Sequence, residues 1–221
     1  MQRNVDMNQI SDGKFYGLND MVKAGCDGCE GCSACCQGMG RSVILDPLDI
    51  FRMTKNLGVT FESLLAEAVE LNVVDGIVLP NLKMSGAEEK CFYLDSAGRC
   101  SIHGFRPGIC RLFPLGRFYE DRSFKYFLQV HECPKKNKSK VKVKNWIDTE
   151  DIRDYEQFIC HWHYMLDDLQ KKIRETSDDE FIKSISMYVL SEFYLKPYDS
   201  KEEIYIQLDR RIEETRHKLL Y

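Results

Sequence analysis

Five thiols fall within eleven residues: Cys26, Cys29, Cys32, Cys35 and Cys36, in the run CDGCEGCSACC. Gly28, Gly31, Ser33 and Ala34 stand between them, too small to build apolar packing and free enough for the backbone to wrap around a point. A C-x2-C pair turns two sulfurs toward one ion, and zinc ribbons set two such pairs around one tetrahedral zinc. Cys26, Cys29, Cys32 and Cys36 also follow the C-x2-C-x2-C-x3-C run of bacterial ferredoxins, with Gln37 where proline is usual. The chemistry indicated is metal binding, with zinc and iron–sulfur both open. Cys35 and Cys36 are adjacent, and neighbouring side chains point apart in extended backbone. They are expected to serve two centres, or one to ligate and the other to support.

Cys91, Cys100, Cys110 and Cys133 lie too far apart for a local knuckle. They sit at predicted hairpin ends and beside turns, where chain reversals gather side chains, so most are expected to join the metal region; small buried hydrophobes are the alternative. His103, three residues after Cys100, is a candidate ligand or a hydrogen-bonded structural histidine. Cys160 and His163 form another CxxH on a helix, without local ligands, and read as packing; His131 beside Cys133 is a weaker signal still. Arg106 and Arg111 flank Cys110. Their guanidinium forks suit an anionic ligand or the negative charge of a thiolate-bound centre, or else ion pairs that fix the turn.

Those residues need elements to position them. Asp46-Pro47 opens a helix that Gly58 stops. A second helix starts at Thr60 and carries Phe61, Leu64, Leu65, Ala68, Val69 and Leu71 at helical spacing. Ile77–Leu79 suggests a strand, and Cys91–Leu94 another that returns through Asp95–Arg99 to Cys100, holding Cys91 near Cys100. A second hairpin runs from Gly116 to Glu120, turns at Asp121-Arg122 and leads to Cys133. Three amphipathic helices follow: one with Ile152, Tyr155, Ile159, Trp162, Leu166, Leu169 and Ile173 along a seam, and two opened by capping boxes at Ser177 and Ser200. The fold class is α+β: an N-terminal arm over 1–25, a loop-rich cysteine-cluster module with short hairpins and two helices over 26–134, a lysine-rich linker over 135–145 and a three-helix extension over 146–221.

Charge and composition exclude several classes. The net charge is −4, with 20 basic and 17 acidic residues in 1–144 against 11 and 18 in 145–221. PKKNKSKVKVK over 134–144 holds six lysines with no aromatic among them, which argues for a solvated edge and against a nucleic-acid stripe. The acidic C-terminal helices are left as the surface for a protein partner. The first twenty residues show no basic start followed by an apolar run, and no segment reaches the roughly 20 apolar residues that span a bilayer. A cytoplasmic, reducing location is expected, where clustered cysteines bind metal more often than they pair as disulfides.

CxxCxxCC at Cys29, Cys32, Cys35 and Cys36, then Cys91 and Cys100, then RPxxCRxFP through Arg106, Pro107, Cys110, Arg111, Phe113 and Pro114, then Cys133, resembles the YkgJ-type cysteine-cluster family. That family is described as zinc- or iron-chelating, and flagellin lysine N-methylase is related to it. The resemblance spans 26–134 and implies a metal centre on those eight cysteines; Cys26 lies just upstream of its four-cysteine motif. The thiol-rich, histidine-poor donor set leans toward iron–sulfur over zinc. The leading reading is a metal-binding protein of unassigned reaction. A methyltransferase-like enzyme and a zinc-stabilised interaction module are the alternatives. For the enzyme the chain has no GxGxxG after a strand, and the radical-SAM spacing fails because Met39 stands where a third cysteine would follow Cys32 and Cys36.

Overall fold

Residues 6–26 and 32–221 are described by the computed structural model, and they sort into two units that interleave along the chain. A helical unit joins Ile44–Asn81 to Arg153–Tyr221; a cysteine unit joins the described part of Gln2–Val43 to Leu82–Ile152. Together they make an α+β chain of short hairpins and helices. Among the described residues no helix is long and apolar enough to cross a membrane.

In the helical unit, α2 (Pro47–Leu57) starts where the sequence places it. The Asp46 carboxylate accepts from the Asp49 N–H at 2.8 Å, Asp49 reciprocates to the Asp46 N–H at 3.2 Å, and Gly58 closes the helix at φ 67°. Helix α3 (Phe61–Glu67) is capped by Thr60 but stops earlier than its apolar periodicity suggests. Val69–Val74 is strand β2, paired with β3 (Ile77–Leu82). The β-branched Val69, Val73 and Val74, with Asp75 and Gly76 both at positive φ in the turn, make a hairpin that overrides the helical spacing.

Helices α6 (Ile152–Glu175), α7 (Asp179–Leu190) and α8 (Ile204–Leu219) are the three the C-terminal pattern predicts. Tyr155, Phe158, Trp162, Leu169, Phe193 and Leu208 are buried among them, with the Trp162 and Phe193 rings edge to face at 4.8 Å. The caps differ from expectation. Asp178, not Ser177, receives the Glu180 and Phe181 N–H groups, both at 3.0 Å. Ser200 caps nothing, because Gln207 holds the turn before α8 by bonding Asp199 N–H, Asp199 C=O and Glu202 C=O. α7 continues as a π-helical turn, Ser191–Leu195, ended by buried Arg211, which donates to the carbonyls of Glu192, Lys196 and Pro197.

The partition differs from the consecutive blocks that composition suggests. α2 and α3, expected inside the metal module, belong with α6–α8. The Phe61 ring stacks on Tyr194 at 5.7 Å, the Tyr194 hydroxyl donates to the Leu45 carbonyl at 3.0 Å, and Arg52 reaches the Tyr205 hydroxyl at 3.2 Å.

In the cysteine unit, the short helix α1 (Met7–Ile10) precedes β1 (Met21–Gly25), which pairs antiparallel with β8 (Ser139–Lys142). The 135–145 lysine run is therefore a strand edge followed by helix α5 (Val143–Ile147), rather than a linker. Lysines at an open strand edge oppose pairing with other chains. Hairpin β6–β7 (Leu115–Glu120, Ser123–Leu128) turns at Asp121 and Arg122, both at positive φ as the two-residue turn requires. Gly116 permits its close packing, since a Cβ there would meet the buried Phe127 ring at 2.3 Å. Tyr16 adds to the hairpin by exchanging backbone bonds with Tyr126 at 2.8 and 3.0 Å. Strands β4 (Met84–Ser85) and β5 (Lys90–Cys91) form a two-residue ladder, and α4 spans Gly108–Leu112. Phe92 and Tyr93 turn instead of extending the Cys91 strand, leaving a single Leu94–Cys100 bridge above the Asp95 turn.

Candidate metal centre

The described cysteines of the unit are delivered by several separate local devices. Cys26 leaves the end of β1. Cys35 and Cys36 sit on a one-turn 3-10 helix over Ala34–Cys36, three residues past Cys32. Cys91 ends β5, Cys100 faces Leu94 across the Asp95 turn, Cys110 lies within α4, and Cys133 follows the β6–β7 hairpin. The Asp95 turn is tightly built: its carboxylate accepts the Ala97 and Arg99 N–H groups at 2.9 and 2.8 Å.

Cys26, Cys32, Cys35, Cys36, Cys91, Cys100, Cys110 and Cys133 all line one cavity of about 70 Å³. Val43, Leu82, Ile102, Phe113 and Trp146 supply apolar wall. The Trp146 indole is fixed there by donating to the Leu112 and Phe113 carbonyls at 3.3 and 3.1 Å. Cys91 is buried and the other seven are partly buried. Among the described residues no two cysteines are joined in a disulfide. Among the described residues, no three His, Cys, Asp or Glu side chains are drawn together tightly enough to hold one ion as they stand. Cys29, the remaining predicted ligand, lies outside the described residues.

The thiols differ electrostatically. The Cys36 thiol donates a hydrogen bond to the Cys35 sulfur, and with the positive charge of Arg106 this lowers Cys35 to about 6 against the opposing effect of burial. Cys36, as donor, is raised, and burial and neighbouring thiols push it the same way. Burial raises Cys91 and Cys100; at Cys100 the Ile102 N–H and Arg106 partly offset it.

The other predicted residues divide. His103 lines the cavity, but its Nε2 accepts from Arg106 Nη1, and burial together with nearby arginines holds the ring neutral. Arg106 lines the cavity and Arg111 does not. Arg111 is buried and gives its donors to backbone: Nε to Arg106 O at 3.2 Å, Nη1 to Asp148 O at 2.6 Å, and Nη2 to Gly104 O. His131 is exposed, while Cys160 and His163 lie on α6 in the helical unit. Cavity residues missed from sequence are Arg99, Lys135 and Trp146. Arg99, next to Cys100 at the foot of the Asp95 turn, carried a local signal; Trp146 carried none, because its place depends on α5 meeting the α4 segment.

Among the described residues, a donor set of eight thiols on one cavity, with one imidazole hydrogen-bonded to an arginine and no carboxylate in the lining, fits soft metals that prefer sulfur. Compared with known proteins, residues 28–150 match the CxxCxxCC family, described as a "putative zinc- or iron-chelating domain". Searches of curated proteins and of solved structures find no match. The matched region spans more than half the chain and every cavity cysteine except Cys26, and the chain belongs to the CxxCxxCC family of zinc- or iron-chelating domains.

Proposed function

We propose that the protein holds an iron–sulfur centre, in preference to zinc, through Cys29, Cys32, Cys35, Cys36, Cys91, Cys100, Cys110 and Cys133, with Cys26 as a supporting thiol on the cavity. The observation that carries this reading is the convergence of eight of the nine described cysteines on one apolar-walled cavity. Four thiolates close a tetrahedral zinc site. Twice that number around one space suits a cluster with supporting thiols, or two centres, better than a single ion. Such a centre would supply one-electron chemistry or a cross-link between chain segments distant in sequence. The chain's own contribution is to keep the sulfurs partly buried, apolar-walled and beside a guanidinium.

Protein purified without oxygen, analysed for iron, acid-labile sulfide and zinc and scanned in the visible range, tests the proposal. Iron with matching sulfide and a broad coloured band is expected. Colourless protein carrying one or two zinc ions would replace iron–sulfur with a zinc-stabilised module.

A further inference from the structure

The two arginines around Cys110 occupy different places, and the difference suggests a division of labour. Arg106 reaches the cavity. Its Nη1 is committed to His103, and its Nε is enclosed with no acceptor among the described residues within bonding reach. It lines the same cavity as Cys35, from the 34–36 turn, and Cys100, from the Asp95 turn, so one guanidinium faces thiols from two separate segments. An enclosed donor beside sulfurs is suited to the negative charge that thiolates carry once they bind metal.

Arg111, only 8% exposed, ties three carbonyls from two stretches of chain: Gly104, Arg106 and Asp148. One of those carbonyls is that of Arg106 itself. Breaking that grip would free the 104–106 backbone to move and let the Arg106 side chain leave the cavity for water.

We infer that Arg106 is the cation that balances the thiolate charge of the centre, and that Arg111 is a positioning residue that holds Arg106 in the cavity. This rests on the metal-centre reading above and holds for either metal, since a four-thiolate site is negative with both. Neutralising the guanidinium therefore weakens metal binding without removing a ligand, whereas loss of a cysteine removes one.

The test uses the full-length chain, reduced and kept free of oxygen, titrated with cobalt(II) against a chromophoric chelator. The thiolate-to-cobalt charge-transfer band reports ligand number, and the competition reports affinity. Arg106→Gln is expected to weaken cobalt binding about tenfold, the lower end of what one hydrogen bond to a charged group contributes, with unchanged band intensity per bound ion. Arg106→Lys recovers most of that loss. Arg111→Lys weakens binding too, but adds nothing on top of Arg106→Gln, because a brace acting through Arg106 then has nothing to hold.

Equal affinity of Arg106→Gln and wild type overturns the inference, as does a fall in band intensity that marks a lost ligand. Additive losses in the double variant overturn the positioning role of Arg111. Circular dichroism melting shows whether Arg111→Lys folds; if it does not, the Arg106 pair decides alone. Absence of any cobalt–thiolate band in the wild type overturns the metal-centre reading and the inference with it.

Discussion

Metal removal is expected to loosen one part of the cysteine unit and spare the rest. Between Met84 and Cys110 the described ladders are the two-residue β4–β5 pair and single bridges such as Leu94–Cys100. Cys91, Tyr93 and Ile102 are buried there, but the stretch has no extended sheet or long helix of its own. Three predicted ligands, Cys91, Cys100 and Cys110, punctuate it. The β6–β7 hairpin, by contrast, has six paired positions and buries Leu115, Tyr126, Phe127 and Leu128. An ion held at a thousand times its dissociation constant contributes about 4 kcal/mol, or about a thousandfold in the exchange rate of amides that open with it. Hydrogen exchange read by mass spectrometry, with and without chelator, locates the effect. The Phe92, Leu94 and Ser101 amides, now bonded to Lys83, Cys91 and Tyr93 carbonyls, should accelerate by up to that factor. The Tyr126 amide, bonded to Tyr16, and the amides of α6 should change little. Uniform acceleration through α6 and the hairpin would refute the localisation; no acceleration at Phe92–Ser101 would refute the cross-link.

Other outcomes follow from the same geometry. Cys32→Ser, Cys100→Ser, Cys133→Ser and also Cys26→Ser should each lower bound metal per chain by elemental analysis, whereas Cys160→Ser on α6 leaves it unchanged. Burial raises Cys91 and Cys100, so these groups are protonated thiols in the metal-free protein at neutral pH. Metal binding must displace those protons, and affinity should fall as pH drops from about 8 to about 6. Calorimetry in buffers of different ionisation heat counts the released protons, and pH-independent binding would contradict this. Trp146→Phe removes the donor shared by the Leu112 and Phe113 carbonyls, costs about 1 kcal/mol and lowers the melting temperature by about 2–4 °C. Asp46→Ala removes the α2 cap at a similar cost of about 1 kcal/mol, and leaves metal content as in the wild type.

Local chemistry was legible wherever one residue type decides the outcome. Asp46-Pro47 and Gly58 bound a helix, Asp121-Arg122 turns a hairpin, and Asp95 closes its loop by accepting two N–H groups; each needs only its neighbours. The end of α3 was not legible, because Ala68, Val69 and Leu71 fit a helical face as well as a strand and the Asp75-Gly76 turn decided between them. Neither was the lysine strand, whose place depends on β1 more than a hundred residues earlier in the chain. For the site, spacing identified the thiols but left Cys26 open, and only the structure sets it on the cavity. Arg106 and Arg111 look alike in sequence, and it is tertiary burial that sends one to the cavity and the other to backbone carbonyls.

The interleaving of the two units also orders their assembly in time. Both segments of the cysteine unit precede residue 153, while the helical unit waits for Arg153–Tyr221 to join Ile44–Asn81. At about 5–20 residues per second of synthesis, that last segment takes roughly 3–14 s to make. Throughout that interval every thiol of the cavity is already translated, and the apolar side chains of α2 and α3 are still without α6–α8. Metal capture therefore has a head start on helical packing, and a cell short of metal would expose a nascent chain with neither half complete.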